Sequence, residues 1–175
     1  LPSHGRIILQ NDSAAPGENV AFYGQLQGGD AFTSIFDVPD SHPEYKVCRV
    51  LVWIGPAGFN LFSVRIAEAG ADGNEIGVDG LLWQSDLDAY QFFGSENELN
   101  SLDLTRFNIL SQGRRLRVNI RHIEGQSAPP TIASDTDGIR PGHNQVYSFV
   151  RAQGRRVRFA TEDLDDNLAP LRPPG

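Results

Sequence analysis

A dense run of apolar residues lies between Tyr45 and Ile54 (YKVCRVLVWI), and shorter stretches of alternating apolar and polar residues lie on either side of it. Strand geometry puts Lys46, Cys48, Val50, Val52 and Ile54 on one side and Tyr45, Val47, Arg49, Leu51 and Trp53 on the other, so both sides are mainly apolar. Such a strand belongs in the middle of a fold, covered above and below. The pattern therefore predicts 45–54 as the organising strand, with Cys48 a buried thiol that packs as a small hydrophobe.

Thinner strands are predicted around it. Arg6 to Gln10 (RIILQ), Val20 to Leu26 and Ala31 to Val38 precede it, separated by the turn-rich 11–18 and by Gly28-Gly29. Gly55 to Gly58 (GPAG) is a turn, and Phe62, Val64 and Ile66 then mark the buried side of a half-covered strand. Residues 68–80 (EAGADGNEIGVDG) hold four glycines and four acids and predict a long loop. Leu81 to Trp83 and Tyr90 to Phe93 are short apolar pieces, and 99–110 fits a strand or a short helical turn. Arg115 to Ile123 alternates most cleanly, with Leu116, Val118 and Ile120 toward the core and Arg115, Arg117, Asn119 and Arg121 toward water or a ligand. Residues 127–144 predict a second long loop, and 145–151 with 156–160 a closing pair of strands around Gln153-Gly154.

Regular short strands with frequent turns are the pattern of an all-β, antiparallel β-sandwich of jelly-roll type. We divide the chain into a β-sandwich domain over 1–160 and an acidic, then proline-rich, C-terminal tail over 161–175. Eighteen glycines and 11 prolines in 175 residues agree with many short elements joined by turns. The formal charge of −7 argues against nucleic acid as a partner, and no apolar run is long enough for a transmembrane segment. Of the fifteen cations only Lys46 is a lysine, so positive charge comes almost wholly as planar guanidinium. A lone cysteine rules out an intrachain disulfide, a zinc ribbon and a CxxC redox pair. A chain with no methionine that starts at Leu1 suggests a removed signal peptide or an excised domain, the first of which implies export.

The succession NDSAAPGENVAFYGQLQ, YKVCRVLVWIG, FSVRIAEA, LRVNIRHIEGQSAPPTIASDTDG and HNQVYSF resembles secreted β-sandwich, jelly-roll-like surface domains of bacteria, myxobacteria especially. The likeness runs over about residues 7–150 and carries no catalytic signature. It implies export, a non-catalytic domain and a role in display or adhesion.

Three constellations suggest chemistry. Asp72, Asn74, Glu75 and Asp79 in one loop, and Asp135 with Asp137 in another, offer oxygen ligands of the kind Ca²⁺ takes, although neither segment has the EF-hand spacing; the alternative is a turn in which Asp caps backbone N–H groups. Arg115, Arg117 and Arg121 on one strand face, with Arg156 and Arg158 on a later strand, suit carboxylate, sulfate or phosphate groups, or else cross-strand acids. Trp83 and Tyr90, with Trp53 and Phe93 behind them, are the aromatic candidates for stacking on sugar rings, Trp53 being the most core-like. His42, Glu44 and His143 followed by Arg151 follow the order of a non-haem iron facial triad, without the cupin spacing. Nucleophile elbows, phosphate loops and zincin helices are missing.

These features predict a non-enzymatic, extracytoplasmic β-sandwich subunit that contacts another protein or copies of itself. A carbohydrate-binding module, with Ca²⁺ as candidate cofactor, is the alternative, and a jelly-roll oxygenase the remote one. The sequence places the proline-rich tail as a strap along the chain's own body or a neighbour.

Overall fold

The computed structural model describes residues 5–9, 21–23, 31–52, 59–85, 90–93, 100–123, 132–134, 144–147, 149–152, 155–158 and 162–163. In chain order the strands are β1 (Ala21–Tyr23), β2 (Ala31–Asp37), β3 (Tyr45–Val47), β4 (Arg49–Val52), β5 (Phe59–Glu68), β6 (Leu81–Gln84), β7 (Tyr90–Phe93) and β8 (Asn100–Asp103). They continue with β9 (Ile109–Ser111), β10 (Arg115–His122), β11 (Ile132–Ser134), β12 (Asn144–Tyr147), β13 (Phe149–Ala152), β14 (Arg155–Arg158) and β15 (Glu162–Asp163). Two single 3-10 turns, Val78–Gly80 and Thr105–Phe107, are the helical elements among the described residues. The fold is all-β, and among the described residues every strand pairing is antiparallel.

The largest sheet runs β15-β12-β2-β10-β5-β6, with β7 on the same edge of β5 as β6. Its middle is β10, flanked by β2 and β5. In register, Leu116, Val118 and Ile120 stand opposite Phe36, Ser34 and Phe32 on one side, and opposite Glu68, Ile66 and Val64 on the other. That face forms the main core, which also takes in Val50, Val52, Leu102, Leu104 and Ile109 from 49–109. The opposite face is covered too: Ala31, Thr33, Ile35, Ala67 and Arg117 are all buried. Thr33 is satisfied there by its cross-strand neighbour Asn119, whose Nδ2 donates to Thr33 Oγ1 at 2.7 Å.

The strands enclosed on both faces are therefore β2, β5 and β10, and the expectation for 45–54 is corrected. That stretch breaks at Cys48 into β3, paired with β9, and β4, paired with β8. Val50 and Val52 are buried at 8%, whereas Leu51 between them is 42% exposed. The reason lies in the partners: Arg49 and Leu51 stand opposite Asp103 and Ser101, so the outer side is a mixed polar surface on which a single leucine needs no cover. Cys48 is half-buried at the break, its thiol donating to the Lys46 carbonyl at 3.6 Å. Trp53 and Ile54 lie outside the described residues.

Three further expectations change. Arg6 to Leu9 form no strand: Ile7 and Ile8 are exposed and only Leu9 packs against the core. Three apolar residues in a row read alike whether they pair or merely lie extended, and the available sheet edge decides. Within 127–144, Ile132–Ser134 is a strand that pairs with β1. The ambiguous 99–110 is strand, turn and strand in succession, its turn entered through the Thr105 N–H donating to Asp103 Oδ1 at 2.9 Å. The strands around Phe62 to Ala67, Arg115 to His122 and 31–37 stand where alternation puts them. No helix among the described residues is long and apolar enough to cross a membrane. Of the tail, Glu162–Asp163 pairs with β12 and the rest lies outside the described residues.

Candidate functional site

The second face of the large sheet organises the most distinctive local structure, the loop 69–80 between β5 and β6. The β5–β10–β2 register sets Arg65, Arg117 and Arg115 on this face. Each arginine holds part of the loop. Arg65 makes a bidentate pair with Glu75, through Nε to Oε1 and through Nη2 to Oε2 at 2.7 Å, and its Nη1 donates to Gln84 Oε1 at 2.6 Å. Arg115 donates from Nη1 to the carbonyls of Gly70 and Ala71 at 3.1 and 2.9 Å, and from Nε to Asp37 at 3.0 Å. Arg117, only 6% exposed, donates to the Gly73 carbonyl at 2.8 Å.

The loop is also tied to itself. Ala69 bridges Glu75, Gly70 N–H donates to the Asn74 carbonyl at 2.9 Å, and Ile76 N–H donates to the Glu68 carbonyl at 3.1 Å. Gly73 and Gly77 adopt φ of 79° and 53°, the left-handed region in which a side chain would be strained. Asp72 accepts from both the backbone N–H and Nδ2 of Asn74, at 3.0 and 3.1 Å, and this bonding holds its carboxyl below the usual range. The Arg65 guanidinium does the same to Glu75.

What this anchored loop shows to solvent includes large apolar side chains. Val78 is 94% exposed and Ile76 52%, and Leu81 is exposed where β6 begins. Between and beside them stand the exposed Asp72 and Asp79. The guanidinium groups of Arg65, Arg115 and Arg117 are engaged by the loop's carbonyls and Glu75, and the exposed formal charges of the loop itself, Asp72 and Asp79, are negative.

A second polar cluster stitches β3 to the sheet end. The Tyr45 hydroxyl donates to the Gly113 carbonyl at 2.6 Å, Ser111 Oγ donates to Glu68 Oε1 at 2.6 Å, and burial raises the Tyr45 hydroxyl above its ordinary value. Arg114 gathers the Pro39, His42 and Pro43 carbonyls at 3.1, 2.8 and 3.1 Å. These contacts hold the 39–43 turn.

The residues singled out in the sequence fall as follows. Arg115 and Arg117 meet in the clamp, while Arg121, at the other end of β10, is exposed and apart from it. Asp72 and Asn74 form the capping pair just described, and Asp79 sits in the 3-10 turn; Asp135 and Asp137 lie outside the described residues. Among the described residues no group of three or more His, Cys, Asp or Glu is placed to hold a metal ion. Trp83 is half-buried, its ring 5.0 Å from that of Phe107, and Tyr90 is a β7 position opposite Phe62. His42 Nε2 donates to the Gly5 carbonyl at 3.1 Å, Glu44 accepts from Gln112 at 2.8 Å, and His143 lies outside the described residues.

Sequence reasoning missed Arg65 as a partner of the acidic loop, and it passed over Ile76 and Val78. The available signal was composition: two β-branched apolar residues in a stretch otherwise made of Gly, Ala, Asn and acids. No protein family, curated protein or solved structure matches the chain.

Proposed function

We propose that this chain is a non-enzymatic, extracytoplasmic β-sandwich of jelly-roll type, a subunit that contacts another protein through the loop 69–80. One observation carries the reading: three arginines fix the loop onto the sheet, yet its second half, leading into β6, leaves Val78 94% exposed and Ile76 52% exposed. A loop held this firmly loses little entropy when a partner covers it, and its exposed β-branched residues gain by being covered. Recognition residues on a loop set by a rigid scaffold are a common arrangement for binding. Support for a sugar-binding face is weaker, because Trp83 turns its ring onto Phe107.

The test is site-specific photocrosslinking in the producing cell, with a photoreactive residue at Val78 and, as control, at Ser101 on the solvated side of β8. Discrete protein adducts from Val78, and few from Ser101, are expected. Equal labelling from both positions, or none from Val78, would remove the reading.

A further inference from the structure

We propose that two copies of this chain pair about a two-fold axis, the segment 6–8 of each copy docking on the clamped loop 69–80 of the other. This rests on the reading of the loop as a contact surface and adds the identity of its partner.

Among the described residues, large apolar side chains are exposed in two groups and at two single positions. Ile76 and Val78 in the loop, with Leu81 where β6 begins, make one group, and Ile7 with Ile8 make the other; Leu51 on β4 and Leu110 on β9 stand singly. The first group shares its loop with the exposed Asp72 and Asp79, and the second follows the exposed Arg6. An apolar group accompanied by acids and an apolar group accompanied by a guanidinium match in both respects. Apolar cover supplies the attraction, and the opposite charges select the partner and fix how it sits.

The segment is held so as to display these residues. The Gly5 carbonyl is hydrogen-bonded to His42 Nε2 at 3.1 Å and Leu9 packs against the core, so it is tied down on both sides. Between those anchors Ile8 is 76% exposed and Ile7 45%, and residues 5–9 belong to no strand. A segment fixed at both ends, like a loop fixed by three arginines, has little freedom left to lose on binding.

Both surfaces hang from one end of the large sheet. Arg114 gathers the Pro39 and His42 carbonyls in the turn that holds Gly5, and its chain neighbour Arg115 donates to the Gly70 and Ala71 carbonyls in the loop. Asp37, which Arg115 also binds, and Glu68, from which the loop departs, mark the same end of β2 and β5 on either side of β10. Within one copy Ile8 and Val78 are exposed together, so the segment does not cover its own loop. With both surfaces at one end, a two-fold rotation brings each onto the other in a second copy. The contact is then isologous, is made twice and closes at the dimer.

The experiment is sedimentation velocity on the full chain across a concentration series, at low and high salt. The variants are R6D in the segment and D79R in the loop, each reversing one exposed charge. Wild type is expected to form a concentration-dependent dimer that loosens in high salt. Each variant alone should dimerise at least about tenfold more weakly, because it sets like charges against each other in both contacts. An equimolar mixture of R6D and D79R should dimerise like wild type, since opposite charges then meet in both contacts, a rescue that unfolded variants could not give. Wild type that stays monomeric at its highest soluble concentration overturns the proposal, as does either variant that dimerises like wild type, or a mixture no tighter than its components. In the producing cell the Val78 adduct is expected at twice the mass of the chain. Adducts from Val78 to a different protein, with the wild type monomeric, leave the loop as a contact surface and remove only the second copy as its partner.

Discussion

Arg117 and Gly73 are bound through a buried hydrogen bond, guanidinium Nη1 to backbone carbonyl at 2.8 Å, that joins the middle strand of the large sheet to the loop above it. The loop's left-handed Gly73 and the strand's one deeply buried cation depend on the same contact.

Removing that cation tests the clamp. R117A would leave the Gly73 carbonyl without its donor and open a cavity beneath the loop, at a cost of about 2–4 kcal/mol. In urea the midpoint should fall with the slope unchanged, because the loss is one of stability rather than of compactness. A midpoint equal to wild type would show that the loop holds without Arg117.

The Arg65–Glu75 pair makes loop attachment depend on pH. Its hydrogen bond and the Arg65 charge lower the Glu75 carboxyl below the ordinary glutamate value, against some desolvation. A carboxyl lowered on folding contributes stability that is present above its unfolded value and is lost as pH falls through its folded value. The melting-temperature gap between wild type and E75Q should therefore be full near neutrality, begin to close below about pH 4.3, and vanish at lower pH. A gap that is constant with pH would mean that the Glu75 charge contributes nothing.

Gly113 reports on the second polar cluster. A Cβ there would lie 2.9 Å from both Cγ and Cδ of Glu68, whose carboxylate is held by Ser111. G113A should destabilise by about 1–3 kcal/mol, the usual cost of overpacking. Shortening the obstructing side chain should recover part of it, so the double mutant G113A/E68A is expected to lose less than the sum of the single changes. Additive losses would show that the two residues do not compete for space.

How the sequence misled is visible in β4. Alternation named the right partners, since Val50 and Val52 do share a buried side, and it also found Phe62, Val64, Ile66, Leu116 and Ile120. It failed on cover, because whether Leu51 is wet depends on Ser101 and Asp103 across the ladder, fifty residues away, which no local pattern reports. For the same reason β2, β5 and β10 looked half-exposed: their second face is closed partly by a glycine-rich loop, and polar composition gave no sign that three arginines would draw it down. The arginine face was legible as a set of residues, while its partner, mostly backbone carbonyls, has no sequence signature at all. Leu51→Thr should change stability by less than about 0.5 kcal/mol, whereas V50A should cost about 1–3 kcal/mol. Comparable losses from both would restore a strand covered on its two sides.

Val78 separates folding from contact. Val78 is almost wholly exposed, so V78D gives up no packing and should leave the urea midpoint within the small range of ordinary surface changes, about 0.5 kcal/mol. The same substitution puts a carboxylate beside Asp79 at the place where a partner would have to exclude water, and a charge desolvated without a counter-ion costs far more than the valine gains. Stability and association should therefore part company: R117A is expected to lower both, V78D association alone, with the same far-UV circular dichroism as wild type. If V78D unfolds the protein, Val78 is packed rather than displayed and the loop is no contact surface. If V78D leaves both stability and every crosslink from a photoreactive residue at Ile76 unchanged, Val78 is exposed without use.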